Sequence, residues 1–410
     1  MSASPPKLDD ILGIVGPKFV IDGPAYAALA CTSKSVRNCL EYIPLDLEIN
    51  KDMRVELGFG DDSVSGLGEK TFEITHQLRG SLRSMKISDV DFLGDFVAPE
   101  QLLFPKYPKL TSLSIGCVYK FKDHSTIYST SRAGGDRALP LQLFCDLDAD
   151  GQCQPNMKLE SFTASQANLY LPEAVPFCDV FGALVNVELH DLAISTGVLK
   201  FPKTLKRLTL SVLSNRLPYD EYREDEIMLE VESDLDLLHL TAKQWYPKDG
   251  YTHSSITMKK SPKRIKHLHV VQDYFPASLT SFVEKLTFLP HGLIPTVLPK
   301  GLKQVRMNSQ VWRAAIEGKG VGKGRGRGYF PVTFSSDFFP QSVEELHVED
   351  NMLSQSFPAA WGPIRKLPNL RVFSWPCQDP KYLKRTCKDP AIVIPGSIKA
   401  LMPQDAYHPM

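Results

Sequence analysis

One phrase recurs along this chain and constrains its fold more than anything else: an apolar residue, Pro, two variable residues, an aliphatic residue, two variable residues, an apolar residue, one variable residue, an apolar residue. Its clearest copy is Phe201-Pro202-Lys203-Thr204-Leu205-Lys206-Arg207-Leu208-Thr209-Leu210. Further copies begin at Ser261-Pro262 (Ile265, Leu268, Val270), Leu298-Pro299 (Leu302, Val305, Met307) and Phe339-Pro340 (Val343, Leu346, Val348), and a truncated one at Ile394-Pro395 (Ile398, Leu401). Units this short cannot bury an apolar face alone. Repetition at such spacing therefore predicts a stacked array, a solenoid in which each unit is covered by its neighbours. Such surfaces bind other molecules rather than carry out chemistry.

Length agrees with that reading. At 410 residues the chain exceeds the size at which one globular core stops growing, so it must be several domains or one array. The proline excess, 31 against 26 glycines, follows largely from the prolines ahead of the apolar triplets. Lys+Arg and Asp+Glu both number 47, so no net field draws the molecule to nucleic acid or a membrane, and any electrostatic preference must be local. Eight cysteines without a C-x-x-C pair argue for reduced thiols rather than a zinc knuckle or a disulfide framework. No apolar run has the length of a signal peptide core or a transmembrane helix, which places the chain in the cytoplasm or nucleus as an expectation.

Residues 8–43 read differently from the rest. Leu8, Ile11, Leu12 and Val15 fall at helical spacing up to Pro17; Tyr26 to Cys31 and Ser35 to Leu40 give two more short helices before Pro44. Leu8-Asp9-Asp10-Ile11-Leu12 followed by Ala27-Ala28-Leu29-Ala30-Cys31-Thr32-Ser33-Lys34-Ser35-Val36-Arg37 resembles an F-box, with Asp9 where Pro is usual and Val36 where Trp is common. That resemblance implies docking onto the adaptor subunit of a cullin-type ubiquitin ligase through Leu8, Ile11, Leu12, Leu29 and Cys31. A plain reading is that 1–45 is the helical cap an array needs over its first apolar face.

From Leu45 on, the apolar triplet continues even without Pro: Leu82, Met85, Ile87; Leu110, Leu113, Ile115; Leu159, Phe162, Ala164; Leu184, Val187, Leu189; Leu235, Leu238, Leu240. This Leu-x-x-Leu-x-Leu core resembles the strand of a leucine-rich repeat. The closing Asn is absent, however, and spacings run well beyond the usual range of roughly 20–29 residues. The Pro-bearing copies resemble the FNIP subclass, for which Phe275-Pro276-Ala277-Ser278-Leu279-Thr280-Ser281-Phe282 and Leu298-Pro299-Lys300-Gly301-Leu302 are the closest pieces. Pro suits the turn ahead of a strand because it fixes φ and lacks the N–H a ladder needs. The expected architecture is α/β: a helical cap over 1–45, a curved parallel sheet of irregular leucine-rich repeats over 46–403 with insertions at 116–158, 212–233 and 311–338, and a tail over 404–410.

Side chains alternate along a strand, so the residues between the apolar ones should line one concave face. One column reads Lys86, Ser114, Thr163, Glu188, Thr209, His239, His269, Arg306, His347, Ser374; the other reads Ser84, Ser112, Ser161, Asn186, Arg207, Leu237, His267, Gln304, Glu345, Val372. The first half is small and hydroxylic and the second carries imidazoles and charge. A protein target is therefore expected over His239, His267, His269, Gln304, Arg306, Glu345 and His347. Strands about 4.8 Å apart would bring His239, His267 and His269 together, as exposed strand residues, a zinc site or a pH-sensitive surface.

Asp146-Leu147-Asp148-Ala149-Asp150-Gly151 opens like a calcium loop, but Met157 stands where the bidentate Glu belongs. Asp146, Asp148 and Asp150 read as an Asp-rich turn in an insertion. Gly318 to Gly328 alternates Gly with Lys or Arg without the Ser/Thr of a P-loop after Lys323, and Asp220 to Glu226 is its acidic counterpart; both read as solvated loops. No nucleophile with a base, metalloprotease helix or dinucleotide fingerprint occurs. The expectation is a non-enzymatic, cofactor-free interaction protein, first as an F-box-like substrate adaptor of a ubiquitin ligase, alternatively as a structural scaffold in a viral or organellar assembly.

Overall fold

The computed structural model describes residues 21–22, 45–49, 80, 82–87, 107–116, 146–147, 153–154, 158–165, 168–169, 180–194, 197–213, 226–243, 255–271, 279–288, 298–308, 338–349, 367–376 and 400–404. Every described element is a strand: β1 (Ile21–Asp22), β2 (Leu45–Ile49), β3 (Leu82–Ile87), β4 (Ser112–Gly116), β5 (Asp146–Leu147), β6 (Cys153–Gln154), β7 (Ser161–Ser165), β8 (Asn168–Leu169), β9 (Asn186–Ile194), β10 (Gly197–Lys200), β11 (Arg207–Leu213), β12 (Glu226–Glu230), β13 (Leu235–Lys243), β14 (Ser255–Lys260), β15 (Arg264–Val271), β16 (Phe282–Phe288), β17 (Gln304–Asn308), β18 (Glu345–Glu349), β19 (Val372–Pro376) and β20 (Ala400–Gln404). The chain divides into two compact units, and the division passes through β11, whose residues up to Thr209 belong to the second and whose residues from Leu210 to Leu213 belong to the first.

In the first unit β1, β2, β3, β4, β7 and β9 lie side by side, all parallel. In the second, β13, β15, β16, β17, β18, β19 and β20 do the same. A large parallel sheet with one strand per repeat is compatible with a solenoid. The helical cap expected over 1–45 has no support: Ile21–Asp22 pairs as a strand with Leu45–Asp46, and the candidate F-box positions Leu8, Ile11, Leu12, Leu29 and Cys31 lie outside the described residues. The insertion expected at 212–233 carries β12, which pairs in parallel with β14, and that at 116–158 carries the β5–β6 hairpin.

The triplets are the core. Leu82, Met85, Leu113, Ile115, Phe162, Ala164, Val187 and Leu189 of the first unit are all buried, as are Leu238, Leu240, Leu268, Val270, Leu286, Val305, Met307, Leu346, Val348 and Phe373 of the second. They are also in register. Met85 pairs with Leu113, Leu113 with Phe162 and Phe162 with Val187, while Leu238, Leu268, Leu286, Val305, Leu346, Phe373 and Leu401 follow one another across the second unit. Each such side chain contributes about 1.5–3 kcal/mol by leaving water, and it does so only because the next repeat covers it.

The Pro-x-x-Leu half of the phrase is a turn. Leu205 N–H donates to Pro202 O at 3.2 Å and Val343 N–H to Pro340 O at 3.2 Å, so Pro opens the turn and the first apolar residue closes it. A second form places Pro one step later: Leu110 N–H donates to Tyr107 O and Leu370 N–H to Leu367 O, putting Pro108 and Pro368 at the position whose φ proline pre-sets. Hydroxyls tie successive turns together, Thr204 Oγ1 donating to Leu184 O at 2.8 Å and Ser342 Oγ to Leu302 O at 2.9 Å. Just past each turn, one carbonyl accepts two N–H groups from the next repeat: Thr111 O from Glu160 and Ser161, Lys303 O from Glu344 and Glu345, Glu344 O from Arg371 and Val372.

Gly301 marks a variant. Its φ is 82°, the value a type II turn requires at its third residue, and that turn type reverses the central peptide. Lys300 O thereby accepts from the N–H of buried Val283 at 3.2 Å. The ring of Phe282 lies where a Gly301 Cβ would stand, the nearest ring carbon 2.0 Å from it. Phe282, which the phrase begun at Pro276 puts at an apolar position, is instead 41% exposed and Val283 is buried. The repeat starts later than its proline indicates.

Candidate functional site

The residues between the buried triplets form the other face of the sheet, and in the second unit they stand in two straight columns. One runs His239, His269, Thr287, Arg306, His347, Ser374; the other runs Leu237, His267, Lys285, Gln304, Glu345, Val372. All seven target-face residues inferred from the sequence are therefore brought together. Lys285 and Thr287 were not legible, because the displaced phrase around Pro276 hid the strand that carries them. In the first unit Ser84, Ser112, Ser161 and Asn186 stand in register, as do Lys86, Ser114, Thr163 and Glu188. Asn186 Nδ2 donates to Ser161 Oγ at 3.3 Å.

Three imidazoles open the second unit's face. His239 and His269 stack with ring centroids 4.1 Å apart and planes 15° from parallel, and His267 lies 6.2 Å from His269 at 4°. His239 Nε2 shares a hydrogen bond with Thr241 Oγ1 at 3.1 Å and His267 Nε2 with Thr287 Oγ1 at 3.1 Å, whereas His269 Nε2 is buried without a hydrogen-bond partner. An imidazole binds a metal in its ring plane at about 2.0–2.1 Å. Parallel rings stacked face to face cannot both present a nitrogen to one ion, and no group of three metal-binding side chains occurs among the described residues. Burial, then the charges of Lys285 and Arg306 and the neighbouring His239, hold His267 down at a pKa of about 4; burial, His239 and His267 do the same for His269. Both rings are neutral at pH 7.

A second cluster sits three strands along. Gln304 Nε2 donates to Glu345 Oε2 at 2.8 Å, His347 Nδ1 is hydrogen-bonded to Ser374 Oγ at 2.6 Å, and His347 Nε2 lies 3.4 Å from Glu345 Oε2. A serine, an imidazole and a carboxylate in sequence suggest nucleophilic catalysis. Ser374 is only 1% exposed, so its hydroxyl is closed off from a substrate carbonyl, and together with Gln304 the trio forms a polar clamp across β17, β18 and β19. Of the calcium-loop candidates, Asp146 lies in β5 opposite Gln154, and Asp148 and Asp150 lie outside the described residues.

Three ion pairs stand on the rim of the second unit's sheet. Arg264 donates to Glu284 at 2.6 Å, Lys266 pairs with Asp236, and Arg371 with Glu344, each joining neighbouring repeats from the residues flanking the first apolar position. No helix among the described residues is long and apolar enough to cross a membrane. No family model matches the chain, and no curated protein matches it.

Proposed function

We propose that this chain is a non-enzymatic protein-interaction module whose target lies on the column face of the second unit, over His239, His267, His269, Gln304, Arg306, Glu345 and His347. The observation that carries the reading is the register itself. Side chains from distant parts of the sequence, polar except for Leu237 and Val372 at the two ends of one column, stand in two continuous columns over an apolar layer, the pattern of a recognition surface built by repetition. In this reading the parallel sheet is a leucine-rich-repeat solenoid and the N-terminal residues Leu8, Ile11, Leu12, Leu29 and Cys31 form an F-box that docks onto the adaptor subunit of a cullin-type ubiquitin ligase, in the cytoplasm or nucleus. Support for the F-box rests on the sequence phrase from Leu8 to Arg37.

Two experiments test the two ends. A photo-crosslinking residue at position 287 of the full chain, on the column face, captures a defined protein in cells, while the same residue at position 303, on the rim, does not; equal capture refutes the face. Full-length protein retains a purified ligase adaptor subunit and loses it on Leu12→Asp; retention unaffected by that change refutes the docking, and the protein is then a scaffold.

A further inference from the structure

The imidazole stack on the column face is built to be uncharged. His239 and His269 face each other with ring centroids 4.1 Å apart, and His267 lies 6.2 Å from His269. Two imidazolium ions do not hold that separation in a half-buried site, because like charges so close repel strongly where water is scarce. The hydrogen bonds point the same way. His239 Nε2 and His267 Nε2 each meet a threonine hydroxyl, which can accept or donate. His269 Nε2 is buried without a hydrogen-bond partner, so a proton there would place a charged N–H where no acceptor stands. The groups facing the rings add no counter-charge. From β13 come Leu237, His239 and Thr241, from β16 Lys285 and Thr287, and from β17 Gln304 and Arg306. The acids of these strands, Asp236 and Glu284, stand on the rim with Lys266 and Arg264. Glu345 lies three strands from β15, roughly 14 Å at the usual strand spacing, where it accepts from Gln304.

Resting on the reading above, which places the partner over these rings, we propose that the stack is an acid-operated release: uncharged, the rings stand closed as part of the binding face, and protonation drives them apart and discharges the partner. Linkage sets the direction. In the closed face His267 and His269 are held at a pKa of about 4, by burial first and then by the charges around them, whereas a ring swung into water returns to about 6.5. The open face therefore binds more protons at every pH between those values. The closed face is fully favoured above about pH 7 and loses ground as pH falls from 6.5 toward 4. Discounted for partial exposure, each freed ring shifts the balance by roughly fivefold at pH 5, and the pair by roughly twenty-five-fold. Leu238, Leu268 and Leu286 beneath the rings are fully buried and carry no titrating group, so the face opens while the sheet stays.

The test follows the full chain, its histidines isotope-labelled, by NMR, with folding checked by circular dichroism at each pH. At pH 7.5 the His239 and His269 rings show contacts with each other; by pH 5 those contacts are lost while the circular dichroism is unchanged. Ring contacts retained at pH 5, or lost only together with the fold, overturn the inference. For release, a photo-crosslinking residue replaces Leu237, beside His267, and a cell lysate is irradiated at pH 7.5 and at pH 5. Capture falls at least tenfold at pH 5 in the parent and stays within twofold in His267→Phe/His269→Phe, which keeps stacking rings that cannot be charged. His269→Phe alone, with an intermediate fall, serves where the double variant does not fold. Equal capture at both pH values overturns the release and leaves the face standing. So does an undiminished fall in the variants, which the partner's own titration would then explain. Capture at neither pH refutes the face itself, and the release falls with it.

Discussion

Replacing Gly301 with Ala separates two costs that the structure superposes at one residue. The first is conformational: a φ of 82° costs an L-residue roughly 1–2 kcal/mol. Escape by flipping the turn withdraws Lys300 O from the N–H of buried Val283, leaving a donor unsatisfied at about 1–3 kcal/mol. The second is steric, because the new methyl meets the Phe282 ring. That ring is 41% exposed and yields by swinging outward, giving up the buried part of a contribution of about 1.5–3 kcal/mol for full burial, or roughly 1–2 kcal/mol. Gly301→Ala should thus lower stability by about 2–4 kcal/mol in the parent, but by only about 1–2 kcal/mol in a Phe282→Ala background. The difference is a coupling of about 1–2 kcal/mol in a double-mutant cycle, read as shifts in urea midpoint for the four proteins. Additive effects would show that the ring does not cover the turn, and a cost below about 0.5 kcal/mol in the double mutant would refute the type II turn.

Leu268→Ala, at a fully buried ladder position, should cost about 2–5 kcal/mol, whereas Lys266→Ala, two residues away on the exposed rim, should leave the urea midpoint unmoved. Ser374→Ala removes the hydroxyl that holds His347 Nδ1 and should cost about 1 kcal/mol, measured by thermal melting. For His267 and His269, whose folded pKa of about 4 lies below the ordinary 6.5, the unfolded chain binds more protons between those values. Their contribution is full above about pH 7 and is lost as pH falls from 6.5 toward 4. Discounted for partial exposure it amounts to about 1 kcal/mol per ring, and acid titration of His269→Phe should show the loss reduced by about that much. An unchanged acid profile would contradict the burial assigned to His269.

The repeat strands were legible because their signal is local: Leu-x-x-Leu-x-Leu needs no knowledge of distant residues, and the triplets from Leu82 to Phe373 sit in the ladder as the spacing implies. The columns followed, since strand alternation fixes which residues share a face. What failed was a turn rule taken too literally. Pro276 precedes Val283 by more residues than any other copy allows, so Lys285 and Thr287, one of them a principal charge on the face, went unread. Nor did the sequence tell which side chains would meet. Ser374 lies 27 residues from His347 along the chain, and only the parallel register of β18 and β19 sets it within hydrogen-bonding distance of the His347–Glu345 pair. The short helices that periodicity suggests at Leu8–Val15, Tyr26–Cys31 and Ser35–Leu40 lie outside the described residues, and periodicity carried no sign that Ile21–Asp22 between them pairs as a strand with Leu45–Asp46.

Each repeat is hydrogen-bonded to the repeats beside it, as Thr111 O is to the N–H of Glu160, Lys303 O to that of Glu344 and Lys300 O to that of Val283. A unit held at its two end strands and stretched therefore carries the load through its rungs in series, and no rung shares the force with another. It should yield in discrete steps, one strand peeling at a time and each releasing the length of one repeat, as a zip opens rather than as a rope snaps.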